Sequence, residues 1–386
     1  MPFQEKVRNK IGGIKYRFDL FIKKLIYKLI YKPYGIIGET EFNRKNEKLI
    51  KIIPSETIDF ILPGSLEKRL SSYFKYEKKS VKPDLYIYCG KNARIETDNP
   101  NNISVIKNRR LISPVSFQYG KDEFIEAKFN SAFSKKYCEK PKYFDKTIFS
   151  TIIGGAGTAN YYHWLFDALP KIDLLKKSGY YDSTELFYVP NYQYNFQKET
   201  LTLLGITEDK VITAIDYPHI KAKKILAASH LNPNLPQSER ICDFLKDSFI
   251  KCASDKKFND KIYISRSKTR RKITNEDEIF YYLENKGFIK IFLEELTFRE
   301  QVALFHNAEH IVSPHGAGLT NLVFSKKNTK ILEIFSPQYV VPYYYCISKT
   351  CGLDYDFIVG EDREKSASDY LGGQTEDIYV DIKALR

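Results

Sequence analysis

The sequence predicts an α/β protein made of two Rossmann-like units preceded by a separate amphipathic helix. Between Thr147 and Ser229, and again between Lys261 and Phe335, short apolar runs alternate with amphipathic stretches. That alternation is the mark of strands and helices around a mostly parallel sheet. The segment from His230 to Ser238, HLNPNLPQS, is rich in Pro and Asn and reads as a linker between the two series. A length of 386 residues is too great for one ordinary core and fits two domains. The expected division is a helix over 1–35, an N-terminal unit over 36–232 and a C-terminal unit over 233–386.

The first element is a basic amphipathic helix from Ile14 to Lys32. Ile14, Phe18, Phe21, Ile22, Leu25, Ile26, Leu29 and Ile30 recur at three- and four-residue intervals, with Lys15, Arg17, Lys23, Lys24 and Lys28 between them. Pro33 and Gly35 end it. Such a helix either lies on an anionic membrane surface or packs on its own domain. From Lys51 to Lys146, PDLYIYCG, NISVIKNRRLIS and FIEAKF read as strands between loops. Thr147 to Gly155 is a buried strand ending in glycines, and a helix bearing His163 follows. LFYVP and KVITA are strands on either side of a helix that ends near Gly205, and KKILAAS is the last strand of this series.

In the second series a helix from Glu239 to Cys252 leads into the strand KIYISR. Then come a helix capped by Thr274, the strand KIFLEEL and a helix with Thr297 as cap and Glu300 three residues on. The strand HIVS, a helix GAGLTNLVF and the strand KILEIF complete the series. The tail beyond Tyr343 is Tyr-rich and then polar.

A formal charge of +13 raises nucleic acid, acidic small substrates and anionic membranes as partners. No recognition helix, zinc-finger spacing or RNP-like strand appears, which argues against nucleic acid. No run approaches eighteen uncharged apolar residues, and the N-terminus lacks a small-residue cleavage site. Six cysteines show no CxxC spacing and no disulfide framework, so a reducing cytosol is the expected compartment.

Two segments carry the chemistry. In NYYHWLFDALPK, from Asn160 to Lys171, His163 and Asp167 are four residues apart and share one helical face. A carboxylate among Trp, Leu and Phe is partly desolvated, which suits a general base. In SPHGAGLTNLVF, from Ser313 to Phe324, a strand meets a small-residue turn and a helix N-terminus, a ready anion cradle. Ser313, His315, Gly316, Ala317 and Gly318 would surround a phosphate. The turn lacks the Lys of a P-loop and the order of GxGxxG. Arg266, at a strand end, would reach the crevice where α/β sheets bind ligands, and its fork suits a diphosphate. Asn160, Arg270 and Arg271 are candidates for acceptor or phosphate contact. Glu333 is placed to accept from ribose hydroxyls, and Asn321 either contacts the nucleotide or packs. Asp354 and Asp356 form a DYD that reads as surface, and no metal site is expected. Together the segments point to group transfer from a phosphate-activated donor.

NYYHWLFDALPK, YISRSKTRRKITNEDE, LEELTFREQVALFHNAEHIVSPHGAGLTNLVF and LEIFSP together resemble glycosyltransferase family 61, over roughly residues 150 to 340. The resemblance implies a GT-B architecture, two Rossmann-like domains facing a cleft, with inversion at the anomeric carbon and no catalytic metal. It implies Asp167 as base with His163 beside it, Arg266 on the diphosphate, and the turn His315 to Gly318 on the nucleotide phosphates. The donor is expected to be a UDP-sugar and the acceptor a glycan or lipid-linked glycan. A bacterial capsule or lipopolysaccharide enzyme at the cytoplasmic face of the plasma membrane is the expected setting. Rival readings are a nucleotide-sugar hydrolase and a membrane- or polyanion-binding protein with a non-catalytic scaffold.

Overall fold

The computed structural model describes residues 3–42, 47–59, 79–98, 102–119, 124–153, 159–231, 238–361 and 377–385, with side chains described from residue 15 onward. Most of the expected linker, 232–237, and the glycines at 154–155 lie outside the described residues.

The chain forms a mixed α/β structure with a large sheet of 12 strands and a second sheet of 5. The 12-stranded sheet is not the mostly parallel one expected. Lys142–Ser150, Leu186–Val189, Val211–Thr213 and His219–Ala228 run parallel to one another, and Gly35–Ile37 pairs parallel with Arg110–Ile112. The strands between Gly35 and Ile125 join mainly antiparallel. The connections explain this. Between Glu47 and Tyr119 many strands are separated by short breaks, and a short break can return a chain only antiparallel, whereas a parallel neighbour needs a long crossover.

The second sheet is parallel throughout. Its strands stand in the order Ile289–Ile291, Lys261–Ile264, His310–Pro314, Lys330–Phe335, Asp354–Val359, which is 2-1-3-4-5 in chain order. This is a doubly wound arrangement whose order reverses between the first and third strands. The tail therefore contributes what its composition hides. YYYCISKTC is a helix, Tyr343–Cys351, closed by Gly352 at φ 70°. Only glycine takes that left-handed C-cap at little cost, and it turns the chain into the fifth strand. Asp354 and Asp356 lie on that edge strand with exposed side chains. Ile378 bridges back to Ile273 and packs under the sheet with Tyr263 and Val312.

One apolar cluster joins the two sheets. It runs from Leu85, Ile87 and Phe149 through Trp164 and Leu165 to Leu245, Ile262, Leu322 and Ile347.

In the second series, helices differ from expectation at an end or in their winding. The helix expected to open on Thr274 is capped by Asn275 and spans Glu276–Glu284. GAGLTNLVF is a 3-10 helix, Ala317–Phe324. The Thr297 cap stands as expected, with Glu300 reaching back to its backbone N–H.

The N-terminal helix spans Phe3–Ile30, and its apolar residues do not pack on the domain: Phe18 is 61% exposed, Phe21 62% and Leu29 58%. It meets the domain at Lys24, which lies over the Tyr137 ring, and at its end. Arg94 donates to Tyr31 O at 3.1 Å and lies over the Tyr31 ring, beside His219. Among the described residues no helix is long and apolar enough to cross a membrane.

Candidate active site

The Asp167 segment folds as two short turns of different pitch. Asn160 caps the first, its side-chain oxygen accepting from Tyr162 N at 2.9 Å and His163 N at 3.3 Å. That oxygen is engaged in the cap. Trp164–Ala168 then winds as a π-helix, and Leu169 N donates to Trp164 O at 3.0 Å, five residues back. Single π turns are rare and concentrate at functional sites. The turn is clamped by burial of Trp164, Leu165, Phe166 and Ala168 and by the Trp164 indole, which donates to Thr200 Oγ1 at 2.9 Å.

The wider turn still leaves His163 and Asp167 on one face, with Nδ1 and Oδ2 2.6 Å apart. Asp167 is the inner partner, its side chain 3% exposed against 24% for His163. One further turn on stands a residue the sequence reading passed over. Lys171 is fully buried, donates to Ile152 O at 2.5 Å and lies 4.6 Å from the Phe117 ring centre. Burial pushes its ammonium down to about 7, against the opposing charge of Asp167. The i, i+4, i+8 spacing of His163, Asp167 and Lys171 was the available signal.

The second segment lies where the strand order of the parallel sheet reverses. Arg266 leaves the end of Lys261–Ile264 and donates to His315 O at 2.8 Å and Arg270 O at 3.1 Å. A Cβ at Gly316 would stand 1.4 Å from Arg266 Nη1, so a larger residue there would displace the guanidinium from this position. A cleft of about 210 Å³ opens beside it, lined by Arg266, Glu294, Ser313, Gly316, Ala317 and Gly318 among others. Burial, helped by Arg271, pushes the Arg266 guanidinium down to about 10. Arg271 is the stronger candidate than Arg270, which is exposed. Its backbone sits at φ 60°, its guanidinium lies over Tyr339, and its buried Nε and Nη1 have no acceptor among the described residues. Left-handed backbone at a non-glycine residue is strained, and buried donors without acceptors are costly.

Glu333 is not placed for ribose. It is wholly buried, with His315 Nδ1 2.5 Å from Oε1 and the Tyr355 hydroxyl donating to Oε2 at 2.5 Å. Burial raises its carboxyl to about 8. Burial and the two guanidiniums hold the His315 imidazole well below its ordinary range. A protonated Glu333 that donates to Nδ1 fixes the tautomer in which His315 Nε2 carries the hydrogen. Asn321 is likewise committed to protein, accepting from Tyr161 and donating to Gln301 Oε1 at 2.9 Å and Gly318 O at 3.1 Å.

The two segments meet. Tyr162 stacks on Phe166 and sets its ring edge against Tyr343 and Tyr344, and the Tyr344 ring is 5.1 Å from that of His315. None of these tyrosines was marked by sequence, since their spacing carries no periodic signal. Among the described residues no group of three or more His, Cys, Asp or Glu is arranged to hold a metal ion. A larger groove of about 790 Å³, lined by Glu56, Asp173, Arg240 and Lys349 among others, lies apart from both motifs and mixes charges of both signs. The smaller cleft matters more here because Arg266 lines it and Arg271 is close enough to act on the Arg266 charge.

Residues 161–332 match the family described as Glycosyltransferase 61. The chain is 32% identical over 101 residues to a beta-1,2-xylosyltransferase of Arabidopsis thaliana, covering 23% of this chain and 19% of that protein. It is 30% identical over 96 residues to an EGF domain-specific O-linked N-acetylglucosamine transferase of Gallus gallus, covering 24% of this chain and 16% of that protein. The aligned part thus spans less than a fifth of each relative. These matches support family 61 and a glycosyltransferase.

Proposed function

We propose that this protein is an inverting, metal-independent glycosyltransferase of GT-B type, with Asp167 and His163 across a cleft from the donor site. It moves a sugar from a nucleotide-sugar, a UDP-sugar by preference, to a hydroxyl of a glycan acceptor. Asp167 takes the proton of the acceptor hydroxyl while its oxygen bonds to the anomeric carbon. The bond from that carbon to the diphosphate oxygen breaks on the opposite face, and the nucleoside diphosphate leaves. Arg266 and Arg271 neutralise the leaving charge, with His315 Nε2–H as a further donor. Arg270 is left to the loop.

The observation that carries this reading is Arg271, whose buried Nε and Nη1 have no acceptor among the described residues and which lies beside Arg266 at the reversal of the sheet. A diphosphate matches both guanidinium forks. The exposed N-terminal stripe with its lysines supports a place at an anionic membrane, the cytoplasmic face of the plasma membrane, with a lipid-linked acceptor of a capsule or lipopolysaccharide pathway.

The test is acceptor-dependent transfer together with a thermal-shift series of nucleoside diphosphates. UDP should raise the melting temperature of the wild type and much less that of Arg271→Ala. Donor consumption indifferent to any acceptor would favour a hydrolase. Polyanion binding with no nucleotide shift would favour a scaffold. Transfer abolished by EDTA and restored by Mn²⁺ would refute metal independence.

A further inference from the structure

A cavity of about 360 Å³ lies in the N-terminal half, away from the arginine cleft. Glu39, Asp84, Tyr86, Phe117, Ser229 and His230 are among its lining residues. Ser229 and His230 directly follow the strand His219–Ala228. That strand pairs parallel with Lys142–Ser150, the strand that precedes the Asp167 helix. The cavity and Asp167 therefore both stand past the carboxyl ends of two neighbouring parallel strands, where α/β sheets bind ligands.

Side chains tie the two more closely. Phe117 has the His230 ring against it at 5.2 Å and the Lys171 ammonium at 4.6 Å. Lys171 is one turn beyond Asp167 on the same face. His230 is pushed down to about 4 by burial, against the field of Asp167.

The lining has the chemistry of sugar recognition. One hydroxyl, that of Tyr86, lies between two carboxylates, donating to Glu39 and 3.0 Å from Asp84 Oδ2. A single proton cannot satisfy both, so carboxylate lone pairs remain for other hydroxyls. Asp84 also accepts from Ser55 N at 2.6 Å and pairs with Lys51, which hold its carboxyl below the ordinary range and keep it charged. Serine hydroxyls and the Phe117 ring complete the wall. Among the described residues lining the cavity none is lysine or arginine, and the nearby Lys51 is neutralised by its pair with Asp84, although the chain carries a net +13. An anionic ligand is thereby disfavoured, which separates this cavity from the diphosphate site. Its volume falls at the small end of ligand pockets, which run from about 300 to 1,000 Å³.

We propose that this cavity binds an uncharged glycosyl residue of the acceptor, between Tyr86, Asp84 and Phe117, and delivers its hydroxyl toward Asp167. The inference rests on the glycosyltransferase reading for what the sugar is for, but not for whether it binds. The experiment is saturation-transfer NMR of the full-length protein with methyl β-xyloside, methyl β-glucoside, methyl β-galactoside and methyl β-glucuronide. At least one neutral glycoside should receive saturation and the glucuronide should not. Tyr86→Phe and Asp84→Asn, each confirmed folded by its melting curve, should weaken that binding roughly tenfold or more, as loss of a charge-assisted hydrogen bond implies. Arg271→Ala should leave it unchanged.

If no neutral glycoside binds, if both cavity variants bind as the wild type does, or if the glucuronide binds equally well, the proposal is overturned. Glycoside binding at this cavity in a protein that ignores UDP would support the site and overturn the transferase reading instead.

Discussion

The Tyr161 hydroxyl donates to Asn321 Oδ1 at 2.6 Å, across 160 residues of sequence. Asn321 is fully buried and Tyr161 half-buried, so this bond fastens the Asp167 helix to the 3-10 helix behind the phosphate turn. Tyr161→Phe leaves a buried acceptor unsatisfied, and its cost should be roughly 1–3 kcal/mol. Urea unfolding should show that loss, and transfer should slow with it. A variant equal to the wild type in both measurements would show that the bond fastens nothing.

Asp167→Asn keeps the shape of the buried π turn and removes the base. Transfer should fall by ~10²–10⁴, while UDP affinity, set in the other half of the site, stays within experimental scatter. Isothermal titration and initial rates read the two separately. Near-normal turnover would remove Asp167 from the mechanism.

Arg266→Ala and Arg271→Ala should each weaken nucleoside diphosphate binding by about 1.5–3 kcal/mol, the worth of a charge-assisted contact. Arg271→Ala leaves the left-handed backbone strain in place, since alanine is no better there than arginine. Its melting temperature without nucleotide should therefore change little. Unchanged UDP affinity in the Arg271 variant would mean its buried donors serve no ligand.

Glu333 sets a pH dependence. Its carboxyl is raised by burial from 4.5 to about 8, so the folded state holds its proton more tightly than the unfolded chain. The stability this confers is complete below about pH 4.5 and is lost as pH rises through about 8. Lys171, lowered to about 7, acts in the opposite sense above that pH. The difference between wild type and Glu333→Gln is therefore the proper readout. Melting curves from pH 5 to 9 should show the wild type losing stability relative to Glu333→Gln as pH rises. Parallel curves would mean that Glu333 is ionised throughout.

The N-terminal stripe predicts binding to anionic vesicles, lost at high salt and absent with neutral lipid. Each basic residue near such a surface contributes about 1 kcal/mol. Deleting residues 1–30 should abolish sedimentation with vesicles and leave UDP binding intact, because Phe18, Phe21 and Leu29 are already exposed. Full-length protein that ignores anionic vesicles would end the membrane reading.

The sequence alone determined those features that depend on neighbours in the chain. The pairing of His163 with Asp167, the small-residue turn at Gly316, the Thr297 cap and the strand–helix alternation from Lys261 to Phe335 all rest on spacings of a few residues. Local periodicity encodes such contacts directly. Tertiary structure decided the rest. Strand direction in the 12-stranded sheet follows from how connections cross it, and periodicity is blind to that. The fifth parallel strand is carried by a Tyr-rich tail whose burial depends on distant partners. The roles of Lys171, Arg271 and Glu333 turned on which polar groups lie within 3 Å in the folded chain. A charged residue is costly to bury unless something meets it, and only the fold shows that Tyr355 and His315 meet Glu333 while, among the described residues, no acceptor meets Arg271 Nε or Nη1.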